Sequence, residues 1–184
     1  MPDSRECLFL EFTADIPAAL EWSKEKPQRK LVTMIKELEL PLAKGGADFE
    51  ILSPSLLSPD DYEGLDRLSR ELASNWSRLL PAGAPPAFRG QDIASFYSLQ
   101  MSVYFFWALR QIILADKYLS AHHYDMVYCF DHAPGVTSPS VDPAETILKE
   151  VLRQMSLKFS FRFETIAISE GAKKKPPTSE NILK

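Results

Sequence analysis

Glycine is scarce in this 184-residue chain. There are seven, Gly45, Gly46, Gly64, Gly83, Gly90, Gly135 and Gly171. At those positions they compose neither G-x-G-x-x-G nor G-x-x-x-x-G-K-[ST], so both common glycine-rich phosphate cradles are excluded. No G-x-S-x-G elbow occurs, which excludes a serine hydrolase of that kind. No D-x-D pair occurs either, so the metal-nucleotide grip of many metal-dependent sugar transferases has no signature here. The clustered acids and strand-end lysine of a receiver domain are likewise missing. Cysteine is limited to Cys7 and Cys129, each inside an apolar run. Both read as small buried hydrophobes in a reducing compartment. A disulfide between them would require neighbouring strands and is not expected. Cys129 with His132 and His122 or His123 lacks a second Cys-His pair at ligand spacing, so no metal is expected.

Basic charge is not in excess. Lys plus Arg is 21 and Asp plus Glu is 25, a formal net charge of -4, which argues against nucleic-acid binding. The basic clusters at 24–30 and 173–175 read as solvated surface. Long apolar runs are absent as well. The longest, VYFFWAL at 103–109, is interrupted by Arg110 and Gln111, and a membrane span needs about 18 or more apolar residues. The first residues, MPDSRE, are polar and do not read as a secretory leader. The expected location is the cytoplasm, with the inner-membrane surface as a peripheral site.

What is present suits a globular domain: 45% apolar and 25% charged residues, in a chain long enough for one core. Short bounded apolar runs predict four strands near 7–12, 48–52, 126–130 and 161–168. Between the first two, Leu31, Ile35, Leu38 and Leu42 have helical spacing, stopped by Gly45 and Gly46. Ser58, Pro59, Asp60 and Asp61 read as the cap and first turn of a helix with a stripe of Leu65, Leu68, Leu72, Trp76 and Leu79. Residues 81–91 read as a loop. A long helix follows from Ile93 to about Ala121, apolar all round at 103–109 and so expected to be covered on several sides. Val103, Phe106, Trp107 and Ile113 should therefore be largely buried, and Phe105 partly so. Asp142, Pro143 and Glu145 read as a capping box for a last helix whose core face is Ile147, Leu148, Val151, Leu152 and Met155.

Strands alternating with helices predict a doubly wound α/β domain with a four-stranded parallel sheet. The expected spatial order is 2-1-3-4. The domain spans 1–170, and 171–184 reads as a linker or disordered tail. With that order, strands one and three are neighbours at the topological switch point, where ligands of open α/β sheets bind beyond the carboxyl ends. Thr13 and Asp15 follow the first strand, and Asp131 and His132 follow the third. The acid-imidazole pair can serve as a general base or orient a hydroxyl. The plainer reading is a turn cap with a surface imidazole. Arg89 and Gly90, just ahead of a helix start, suit either an anion or a tight turn. His122 and His123 end a helix, where imidazolium suits the dipole.

The aromatic-basic-Gly loop at 88–90, the aromatic-rich long helix and YDMVYCFDHAP at 124–134 together resemble the N-terminal halves of bacterial surface-carbohydrate glycosyltransferases with two Rossmann-like lobes, the GT-B arrangement. The resemblance covers residues 62–135. It implies an acceptor-side lobe acting in surface polysaccharide biosynthesis. A second lobe or partner chain would hold the nucleotide-sugar donor, and catalysis would lie in the cleft between lobes. It implies a metal-independent transfer, a glycan or lipid-linked acceptor, and no cofactor beyond the donor as substrate. On it, His132 and Asp131 are the catalytic candidates, and Thr13, Asp15, Arg89 and Gly90 the substrate-binding ones. The rival expectation is a non-enzymatic α/β domain for binding or assembly.

Overall fold

The computed structural model describes residues 5–76, 87–88, 91–131 and 147–167, except the side chains of 87–88 and 91–96. In chain order the strands are β1 (Glu6–Leu10), β2 (Arg29–Thr33), β3 (Phe49–Ile51), β4 (Ala87–Phe88), β5 (Gln91–Asp92), β6 (Met126–Asp131) and β7 (Arg162–Ala167). The α-helices are α1 (Ile16–Lys24), α2 (Glu39–Lys44), α3 (Pro59–Asn75), α4 (Ile93–Ala121) and α5 (Leu148–Phe159). One all-parallel sheet has the order β3-β2-β1-β6-β7, and β4-β5 is a separate antiparallel pair. This is a Rossmann-like α/β arrangement.

β1 is the central strand. All five of its residues are buried, as a parallel strand with both faces covered requires. Its alternate side chains feed two cores. Leu8 and Leu10 pack with Leu31, Leu38, Leu42, Ala19 and Trp22 on the side of α1 and α2. Cys7 and Phe9 pack with Val32, Val127, Cys129, Leu114, Tyr118 and Leu152 on the side of α3, α4 and α5. Each fully buried Leu or Phe contributes about 1.5–3 kcal/mol.

Several expectations are corrected. The sheet has five strands, not four, and its order is not 2-1-3-4. The missed strand is β2, which lies between the strands expected first and second. Its residues, RKLVT, were expected in a helix. Leu31, Leu38 and Leu42 do share one core, but Leu31 reaches it from a strand and the other two from a 3-10 turn and the short α2. Val32, next to Leu31, faces the opposite core, which a helix with a single apolar face does not allow. At the other end of the sheet, α5 ends at Phe159 and β7 begins three residues later. Ser160 then caps that helix in the left-handed conformation, φ 57.

In α3 the buried stripe is Leu65, Ser69 and Ala73. Leu65 is buried as expected, but Leu68 is exposed and Leu72 half-buried, so the packed face runs on through Ser69 and Ala73 instead of those leucines. Leu79 lies outside the described residues. α4 has the expected bounds but not the expected cover. Val103 and Trp107 are exposed, and Phe106 and Ile113 are only half-buried, whereas Phe105 is partly buried as expected. The reason is length. At 1.5 Å per residue the 29-residue α4 is roughly 43 Å long. Among its described side chains, from Tyr97 on, the buried positions begin at Ala108 and continue through Leu114, Ala115, Tyr118 and Leu119, so the stretch from Tyr97 to Phe105 runs past the core. Among the described residues no helix is long and apolar enough to cross a membrane.

Candidate functional site at the carboxyl edge of the sheet

β1 and β6 are hydrogen-bonded neighbours, with Phe9 opposite Cys129. The chain leaves β1 toward α1 on one face, and β6 leads to α5 on the other. The sheet therefore has its switch point between these two strands. Beyond this pair the chains run on to Glu11 and Asp131, and the charges of both act on the Cys129 thiol. Side chains alternate across a strand, so Glu11 and Asp131 lie on the same side as Phe9 and Cys129, which is the α4-α5 side.

Three groups define the electrostatics there. Asp131 is exposed and forms an ion pair with Lys149 in the first turn of α5. Glu11 is half-buried, with its Oε1 enclosed. Cys129 is fully buried. Burial first, then the charge of Glu11, pushes its thiol up to about 12, with Asp131 adding and Lys149 and Arg153 opposing. A thiol held neutral is no nucleophile, so Cys129 belongs to the core beneath the strand ends and is not a reagent.

The second loop of the crevice is a 3-10 turn over Thr13–Asp15 that runs directly into α1. Thr13 is exposed, while Asp15 is buried at 2% exposure. Thr13, Asp15 and Asp131 thus follow the carboxyl ends of adjacent strands. His132, Arg89 and Gly90 lie outside the described residues, as do Asp142, Pro143, Glu145 and the tail from Gly171. Reasoning from sequence missed Glu11 and Lys149. Glu11 was hidden inside the expected strand 7–12, although an acid directly after the apolar CLFL was a visible signal. Lys149 sits on a helix and is brought to Asp131 only by the fold.

The histidines at the end of α4 belong elsewhere. His122 Nδ1 lies 3.0 Å from the Tyr118 carbonyl, which can only accept, so that nitrogen carries the proton. His122 precedes the first residue of β6 by four positions, whereas Cys129 lies well along that strand. The set Cys129, His122 and His123 is thus drawn out along the sheet and not gathered. Cys7 and Cys129 are both free thiols. Their strands are adjacent, but Cys7 pairs with Val127, which sets the two cysteines out of register.

The arrangement offers two carboxylates and an ammonium at the carboxyl edge of the sheet, beside the switch point. Such groups accept and donate hydrogen bonds to hydroxyls, and a carboxylate there can take a proton from one. Comparison of the chain with protein-family models, with curated proteins and with solved structures finds no match.

Proposed function

We propose that this chain binds a hydroxyl-rich acceptor at the β1-β6 crevice and acts as the acceptor-side lobe of a metal-independent, GT-B-like glycosyltransferase of surface polysaccharide biosynthesis. The observation that supports this reading is the pairing of β1 with β6, which brings Glu11 and Asp131 to the same end of the sheet, both near Cys129. On this reading Asp131 and the next residue in sequence, His132, orient the acceptor hydroxyl and take up its proton. Glu11, Thr13, Asp15 and Lys149 line the site, with Arg89 and Gly90 at its rim. The nucleotide-sugar donor is held by a second lobe or partner chain, and the acceptor is a glycan or a lipid-linked glycan. The protein works in the cytoplasm, at or near the inner membrane.

The test is a titration of isotope-labelled protein with a panel of mono- and disaccharides and of nucleotide sugars. Amide shifts of Glu11, Thr13 and Asp131 should saturate with acceptor sugars, and Asp131→Asn should weaken that binding at least tenfold. With a donor-binding lobe present, His132→Ala should lower transfer by the ~10²–10⁴-fold of a lost general base. If no ligand shifts these amides, the reading fails and a non-enzymatic binding or assembly domain takes its place.

A further inference from the structure

We infer that the groove between α3 and the first half of α4 is a docking site for an amphipathic helix of a partner protein, one whose apolar face is flanked by a carboxylate that pairs with Arg110. This goes beyond the acceptor reading and uses none of its residues.

Leu99 is 72% exposed, Val103 51% and Trp107 38%. They follow at intervals of four and therefore lie on one side of α4. No residue from Tyr97 to Phe105 belongs to either hydrophobic core. Beside this stripe a groove of about 670 Å³ opens between the two helices, lined among others by Ala73, Leu99, Val103 and Phe106. Asp66, Ser69, Arg70, Ser74, Ser98 and Ser102 line the rest of it, and a groove between two helices with an apolar strip along it accepts the apolar face of a third helix through residues at i, i+3, i+4 and i+7.

A charge one turn beyond the groove's lining, on the same side of α4 as Val103, names the occupant's chemistry. Arg110 lies over Trp107, its guanidinium carbon 3.7 Å from the ring centroid. Its Nε is buried with no hydrogen-bond partner, and no carboxylate among the described residues pairs with it. Burial pushes this guanidinium down from its ordinary value. The neighbouring cations are already satisfied: Arg70 by Asp66 at 3.0 Å and Lys117 by Asp61 at 2.7 Å. A half-buried arginine with open donors is stabilised by an incoming carboxylate. A second copy is a poorer occupant. In an isologous pair the same surface meets itself, and the groove's own acid, Asp66, is engaged by Arg70.

The experiment uses the full chain and two fluorescent 18-residue helical peptides with the same leucine face, one flanked by glutamates and one by lysines. Anisotropy should show the glutamate peptide binding at least tenfold more tightly. Arg110→Glu should reverse that preference, and Val103→Asp should abolish binding of both. Leu99→Asp, at a more exposed position, repeats the test if Val103→Asp lowers the melting temperature. Sugar titration of the β1-β6 crevice should be unchanged in all three variants, so loss of one reading does not carry the other. The inference is overturned if neither peptide binds, or if the preference survives Arg110→Glu. It is also overturned if sedimentation shows a self-association that Val103→Asp removes, or if phosphatidylglycerol vesicles bind the chain through these residues. Tighter peptide binding after removal of residues 168–184 would assign the groove to the chain's own tail and overturn it too.

Discussion

Glu6 and Arg29 meet at the amino-terminal edge of the sheet, where Arg29 Nε donates to Glu6 Oε2 at 2.7 Å. Both side chains are less than a tenth exposed. Arg29 also donates to the Trp22 carbonyl at 2.6 Å, lies over the Trp22 ring at 4.3 Å, and contacts Glu25, while Lys26 contacts Glu6. Removing one partner of a buried pair leaves the other charge without compensation, at a cost of about 3–5 kcal/mol. Because Arg29 keeps Glu25 and a carbonyl, Glu6→Leu should cost about 3 kcal/mol in urea unfolding. Asp66→Ala, which breaks the exposed pair with Arg70, should cost less than about 1 kcal/mol. Equal costs would show that burial does not set the difference. Acid-base behaviour has a second residue-level origin. Burial raises Tyr118 far above the ordinary phenol value, and its hydroxyl lies 2.5 Å from that of Tyr124. Burial likewise raises Tyr124 to about 12, and Cys129 to about 12 from 9.0. These folded-state values exceed the unfolded ones, so their stabilising contribution is complete below about pH 9. From there the unfolded chain releases protons that the folded chain retains, and stability falls toward about pH 12. Melting temperatures should decline over that window, and Tyr118→Phe with Tyr124→Phe should make the decline shallower. A flat profile up to about pH 12 would contradict the burial of these groups.

Capping decides how α3 begins. Asp61 N donates to Ser58 Oγ at 3.2 Å, and Ser58 N donates to Asp61 Oδ2 at 2.6 Å. Pro59 fills the first helical position. Ser58→Ala should cost about 1 kcal/mol by urea unfolding. Asp61 is also held by Lys117, and that contact, then the Ser58 hydroxyl and amide, lowers its carboxyl to about 2. A depressed folded value gives stability that is present above the ordinary carboxylate range and lost as pH falls through about 2. Asp61→Asn should therefore be destabilised relative to the parent at neutral pH, and the gap should close as pH falls from about 4 to about 2. A gap independent of pH would remove the charge from the explanation. This cap was legible in the sequence because it is local: four consecutive residues make it. The stop at the end of α2 was legible for the same reason, Gly46 taking φ 70 just past the helix. β2 was not legible. A strand buried on both faces shows no alternation, and Leu31, Ile35, Leu38 and Leu42 meet a helical spacing while Leu31, Leu38 and Leu42 belong to three different elements and Ile35 to the connection between two of them. The cover on α4 was hidden for a different reason. An all-apolar helix announces that partners are wanted, but only the lengths of α3 and the sheet determine which half receives them.

At the scale of the molecule, the candidate site was legible in outline. Position at a strand end is a local property, which made Thr13, Asp15 and Asp131 visible in the sequence. Lys149 and the arrival of Glu11 and Asp131 at one end of the sheet depend on strand register and on how α5 returns, and neither is written in a short stretch. The same topology sets a gradient of stability across the sheet. β1 has strands on both sides and cores on both faces, and Leu8, Leu10, Leu31, Val32, Val127 and Cys129 around it are almost wholly inaccessible. β7 is an edge strand with four of its six residues exposed, and β3 is an edge strand of three half-buried residues. Opening an edge strand exposes little apolar surface, whereas opening β1 dismantles both cores, so local unfolding should be confined to the edges. In native-state hydrogen exchange, amides of Leu8, Phe9 and Leu10 should exchange only through global unfolding, with a free energy matching that from urea. Amides of β7 should exchange at least about tenfold faster, corresponding to about 1.4 kcal/mol or more below the global value. The Glu164 and Ile166 amides report this edge directly, because they fall on the side of β7 that faces β6, as the Arg162 amide does in donating to the Asp125 carbonyl at 2.9 Å. Equal protection across β1 and β7 would mean that something outside the described residues covers the β7 edge.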